Sequence, residues 1–271
     1  MYQIMLPNIR PMGGFNDFHN ESFYVWDEVN DYLDCSVCDY RASSWLIDPN
    51  GNKNSALLVA GELLSLLMGY LRLCNLENLY SHVKLNEIKV FYGNHSTAYS
   101  TFEEIQIPNF FLSEVWTERE QFKPNNPREI NNLSKLSFDT LLYMAKSQED
   151  IYILLKLMAE RTSWFTLYKI YESLETFTTM NSYPFLINIE KGKKMISVLD
   201  LESEKEKLTK PANNFSLVGL YARHGYKQHV KPINTTNCFS LDEAKNFVYK
   251  HVKRYIVWKV SEFHKSDLFN G

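Results

Sequence analysis

Apolar residues recurring every three or four positions constrain this chain more than any other feature. In QEDIYILLKLMAE, residues 148–160, Ile151, Leu154, Leu155 and Met158 share one helical face. In SWFTLYKIYESLETF, residues 163–177, Trp164, Leu167, Tyr168, Tyr171 and Leu174 repeat the spacing. Ser240 and Glu243 in SLDEA form a capping box that opens the long apolar-striped run AKNFVYKHVKRYIVWKV. NNFSLVGLYARHG adds a further helix, which Gly225 would terminate. Residues 135–271 are therefore expected to form an all-helical bundle.

The first 120 residues lack that regularity. YQIMLPNI, SFYVWDEV, EIKVFYG and FEEIQIPNFF are short runs of β-branched and aromatic residues, and each reads as a strand. Between them lies ALLVAGELLSLLMGYLRLC, residues 56–74, with Ser55 placed as its N-cap. Glu62 and Arg72 inside it would be costly at a bilayer midplane, so a buried helix is expected and no membrane association. The expected fold class is α+β, with a mixed N-terminal region (1–120), a Pro- and Asn-rich linker or loop (121–134) and the helical bundle (135–271). A single α+β domain with 121–134 as an ordered loop is the alternative.

Composition excludes several classes. Four cysteines make no disulfide framework, and the lone CxxC, Cys35 and Cys38, has no second pair to complete a zinc site. With no signal-peptide pattern at the N-terminus, a cytoplasmic location is expected. No P-loop, dinucleotide fingerprint or zincin motif occurs. Asp139, Glu149 and Asp150 sit at helix starts, where the macrodipole accounts for them without a metal. Charge is uneven: residues 1–120 hold 7 Lys and Arg against 16 Asp and Glu, whereas residues 190–265 hold 15 against 8. A basic C-terminal part suits a polyanion, or an attraction between the acidic and basic halves of the chain.

The chemistry that can be argued sits in LYARHGYKQHVKP, residues 220–232. Arg223 offers a permanent planar cation suited to phosphate oxygens, and His224 and His229 titrate near neutrality. If the helix from Asn213 runs to Gly225, Arg223 and His224 occupy its last turn, where the macrodipole also favours cations. Lys227, Lys231, Lys250, Lys253 and Arg254 are candidates for binding a nucleic-acid backbone. Arg161 is a candidate ion-pair partner for Glu172 or Glu175. His251 lies on the apolar stripe with Phe247, Val248 and Tyr255, which suggests a buried ring.

RHGYKQH, Arg223 to His229, has the form R-x5-H with a polar residue directly after the arginine. It resembles the R-x(4–6)-H signature of the HEPN superfamily, helical bundles of bacterial and archaeal defence and toxin systems. The resemblance covers roughly residues 135–265. It implies a metal-independent endoribonuclease or RNA-binding effector without a cofactor, acting as a homodimer through the C-terminal bundle. Arg223 would contact the scissile phosphate, His229 would act as general acid/base or orient the 2′-hydroxyl, and His224 would support the site. The alternative function is a non-catalytic sensor or adaptor whose helical domain mediates dimerisation or partner docking.

Overall fold

A computed structural model describes residues 2–6, 24–29, 38–47, 53–74, 89–92, 137–183, 202–226 and 237–269. The described residues are mostly helical, which corrects the expected α+β fold class. Among the described residues the strands are short and pair in one small sheet, whereas the longest element of the same N-terminal region is a helix. Strand-forming composition weighs little against a long apolar run that buries itself as a helix. Backbone packing divides the chain into two compact units, the first reaching Leu155 and the second running from Lys156. The expected linker, 121–134, and the expected strand at 102–111 lie outside the described residues.

In the first unit, β1 (Tyr2–Leu6), β2 (Tyr24–Val29), β3 (Cys38–Ser43) and β4 (Lys89–Tyr92) pair antiparallel in the order β2-β3-β1-β4. Ile4 stands opposite Ala42 on one side and Val90 on the other. Strand β3 was not expected: CDYRAS places Cys38, Tyr40 and Ala42 on one face and Asp39, Arg41 and Ser43 on the other, an alternation the sequence reading did not use.

Helix α1 (Lys53–Leu73) starts two residues before the expected cap at Ser55. From Val59 to Leu73 it is buried on nearly every face, Glu62 and Arg72 included. A helix apolar all round belongs in a core. No helix among the described residues is long and apolar enough to cross a membrane.

Helices α2 (Phe138–Ser147) and α3 (Glu149–Ala159) complete the first unit, whose limit at Leu155 falls inside α3. Ser137 caps α2, its hydroxyl accepting the Thr140 amide at 3.1 Å. Tyr70 of α1 packs on Phe138 with ring centroids 5.4 Å apart. The Tyr152 hydroxyl donates to the Glu62 carboxylate, so one buried acid has a fixed partner. Burial and the Glu62 contact together raise the Tyr152 pKa, which keeps the phenol protonated. Gly69 permits the closest approach of α1 to α3, since a Cβ there would run into the Leu155 carbonyl.

The second unit is built on α4 (Trp164–Met180), α5 (Glu202–Asn213), the single turn α6 (Phe215–Val218) and α7 (Leu241–Phe269). Ser163 caps α4 by accepting the Thr166 amide at 3.1 Å. Its expected inward residues Trp164, Leu167, Tyr168, Tyr171 and Leu174 are all buried.

The capping box of α7 forms as expected. Ser240 N–H donates to Glu243 Oε2 at 2.7 Å, and Glu243 N–H donates to Ser240 Oγ at 3.3 Å. The Ser240 N–H and the Ser240 hydroxyl, which donates to the same Oε2 at 2.8 Å, hold the Glu243 carboxyl below its usual pKa. Tyr183, just past α4, meets Tyr255 and Trp258 of α7 edge to face, at 5.6 and 5.0 Å. Pro211 inside α5 cannot donate to the Lys207 carbonyl four residues back. That carbonyl accepts the Phe239 amide instead, at 3.1 Å, and so anchors the approach to α7.

Candidate functional site: an arginine clasp beneath an exposed aromatic loop

The helix expected to run from Asn213 to Gly225 breaks early. Asn214 ends α5 and caps a new turn, its Oδ1 accepting the Ser216 amide at 2.9 Å. One turn later Gly219 adopts φ 60° and ψ −134°, a conformation that a Cβ disfavours. Gly219–Tyr221 then forms a single 3-10 turn, and Arg223 and His224 follow in irregular backbone. The expectation that these two residues sit in the last turn of a helix is therefore corrected. A helix macrodipole does not account for their charge.

Local bonds set where Arg223 lies. Its amide donates to the Ala212 carbonyl at 2.7 Å, which ties the loop back to the end of α5. Its guanidinium lies over the Tyr168 ring, 4.5 Å from the centroid, and donates to the Tyr168 hydroxyl at 2.8 Å. The same NH1 pairs with Glu172 Oε1 at 3.0 Å. Tyr168 and Glu172 stand one turn apart on α4, so one helix face supplies both partners. Arg161 is not the partner of Glu172 or Glu175, a correction to the sequence expectation. Glu175 instead takes Lys205 of α5 at 2.6 Å and accepts the Tyr171 hydroxyl at 2.7 Å. Lys205 also lies 5.6 Å from the Tyr171 centroid. Two tyrosine–glutamate–cation clasps thus follow each other along α4.

Around Arg223 the loop exposes what a folded protein usually hides. Leu220 is 90% exposed, Tyr221 60% and Tyr226 72%. Tyr226 rests edge-on against Phe215, with centroids 5.7 Å apart, so its ring is braced while its surface stays open. His224 is exposed between them. The Arg223–Glu172 pair is itself partly exposed, with side-chain accessibilities of 37% and 43%. An ion pair in such a setting contributes at most about 1 kcal/mol.

The remaining sequence candidates separate. His229, Lys227 and Lys231 lie outside the described residues. Lys250 and Arg254 are exposed one turn apart on α7, whereas Lys253 is half-buried and already engaged. Between them His251 meets the Phe247 ring at 4.8 Å. Burial first, then Arg254 and Lys250, push its pKa down to about 4, so it is neutral at physiological pH. Asp139, Glu149 and Asp150 occupy first helical turns. Among the described residues no group of three or more His, Cys, Asp or Glu is placed to hold a metal ion.

Sequence reasoning passed over Leu220, Tyr221 and Tyr226, although they flank the basic residues within LYARHGY. It named Tyr168 as an inward residue and Glu172 as an ion-pair acceptor but could not join them to Arg223, which lies some fifty residues away along the chain and meets them only through the fold. No protein-family model matches this sequence, and no curated protein or solved structure matches it either. Fold and site therefore define a class only: a protein whose described residues are mostly helical and carry a basic, aromatic, solvent-facing loop.

Proposed function

We propose that the second unit binds single-stranded RNA through the loop 219–226, as the binding component of an effector rather than as a nuclease. The observation that carries this reading is the exposure of Tyr221 and Tyr226 on either side of Arg223 and His224. Exposed rings beside cations suit a strand whose bases stack and whose phosphates need charge, and each stacked base contributes about 1–3 kcal/mol. The basic balance of residues 190–265 supports the same partner. Lys250 and Arg254 on α7 supply a further exposed basic strip.

Cleavage is the weaker reading on this geometry. The R-x5-H resemblance asks Arg223 to sit on a scissile phosphate, yet its guanidinium is engaged with Tyr168 and Glu172. Binding asks less of it.

The test is fluorescence anisotropy of a labelled single-stranded RNA at low salt, with the parent protein beside a Tyr221→Ala/Tyr226→Ala variant. Both side chains are exposed, so the variant is expected to fold like the parent. It should bind roughly tenfold or more weakly, and an equally long duplex should bind the parent poorly. Equal affinity of parent and variant, or no binding by the parent, would sink the proposal. Appearance of cut products in EDTA would restore the nuclease reading.

A further inference from the structure

We infer that Glu172 is a built-in competitor for the RNA phosphate, so that the loop binds RNA below its full capacity until that carboxylate is displaced. This inference rests on the RNA-binding reading and names how the same site is regulated. Arg223 makes two kinds of contact with α4, and they differ in what an incoming phosphate can replace. The Tyr168 contact is a ring face at 4.5 Å with a hydroxyl at 2.8 Å, and a phosphate does not compete for the ring face. The Glu172 contact is a single carboxylate oxygen at 3.0 Å, on a side chain that is 43% exposed. A carboxylate oxygen and a phosphate oxygen ask for the same N–H donors. Solvent already reaches the pair, so exchange needs no opening of the core. Tyr168 is buried and stays in place, and it would keep the guanidinium near the loop while the anion changes.

The backbone reinforces this arrangement. The Arg223 amide remains on the Ala212 carbonyl at 2.7 Å whichever anion the side chain holds. Only the guanidinium's acidic partner is free to change.

The neighbouring clasp provides the control. Glu175 carries the same charge on the same helix, but it pairs with Lys205 and the Tyr171 hydroxyl rather than with the loop. Removing either carboxylate lowers the local negative charge by one, and only Glu172 releases Arg223.

Anisotropy titrations with a short labelled oligouridylate compare the parent, Glu172→Gln and Glu175→Gln at one low salt concentration. Glu172→Gln is expected to bind about fivefold more tightly than the parent, and Glu175→Gln no more than about twofold. Equal gains for the two variants would reduce the effect to bulk charge and overturn the inference. Weaker binding by Glu172→Gln would overturn it as well, because Glu172 would then be needed to position Arg223. Absence of binding by both would remove the RNA reading itself, whereas parent binding without a gain in Glu172→Gln would remove only this inference. Circular dichroism of each variant separates a binding change from a folding change.

Discussion

Helix α1 in the first unit and the 219–226 loop in the second both carry charge among apolar residues, and they handle it in opposite ways. In α1, Glu62 is 1% exposed and bonded to the Tyr152 hydroxyl, within a helix that packs so closely on α3 that Gly69 has no room for a Cβ. In the loop, Arg223 is partly open to water, its ion pair is one that solvent screens, and apolar Leu220 and aromatic Tyr221 and Tyr226 stand outward. A buried charge must be partnered for the fold to form. An exposed charge among exposed rings gives the fold little, and that is the observation on which the proposed RNA partner rests.

The first way to break this comparison is to crowd the tight region. Gly69→Ala forces a methyl group against the backbone of α3, which cannot swing aside as a side chain would. The expected cost is about 3 kcal/mol, read as a lowered denaturation midpoint, with RNA binding of the folded fraction unchanged. A loss well under about 1 kcal/mol would mean that the helices part easily and that the contrast with the loop is overstated.

A smaller effect sharpens the comparison from the second unit. His251 has a pKa of about 4 in the folded protein, against an ordinary value of 6.5. The unfolded chain therefore takes up the proton first as pH falls. Stability that is fully present above about pH 6.5 declines as pH drops toward about 4. The ring is only half-buried and water screens it, so the loss should be on the order of 1–2 kcal/mol. Thermal midpoints between pH 7 and pH 4 measure it, and His251→Phe should flatten that part of the profile. An unchanged slope in the variant would assign the acid sensitivity to other groups.

What could be read from the residues follows the range of the interaction. The inward faces of α3 and α4 were legible because a 3.6-residue period is written locally, and so was the Ser240–Glu243 cap, which spans three residues. The burial of α1 from Val59 to Leu73 was legible from Glu62 and Arg72 within an apolar run. Strand β3 was not, since its Cys38–Tyr40–Ala42 alternation is short and lacks β-branched residues, and its place comes from pairing with β1 and β2. The expected α+β class fails for a related reason: the β-forming runs give only short strands among the described residues, and the long helix among them dominates. At the candidate site Arg223 and His224 were singled out by type, but their backbone was misjudged. Asn214 and Gly219 interrupt a pattern that otherwise reads as one helix. The clasp with Tyr168 and Glu172 depends on how α4 and the loop meet, and no local spacing encodes that.

The most direct measurement of the central claim is ultraviolet cross-linking of single-stranded RNA to the full chain, followed by mapping of the linked peptide. The account predicts cross-links at Tyr221 or Tyr226, reduced by competitor single strands and not by duplex. Cross-links that map to other segments while sparing residues 219–226 would contradict it.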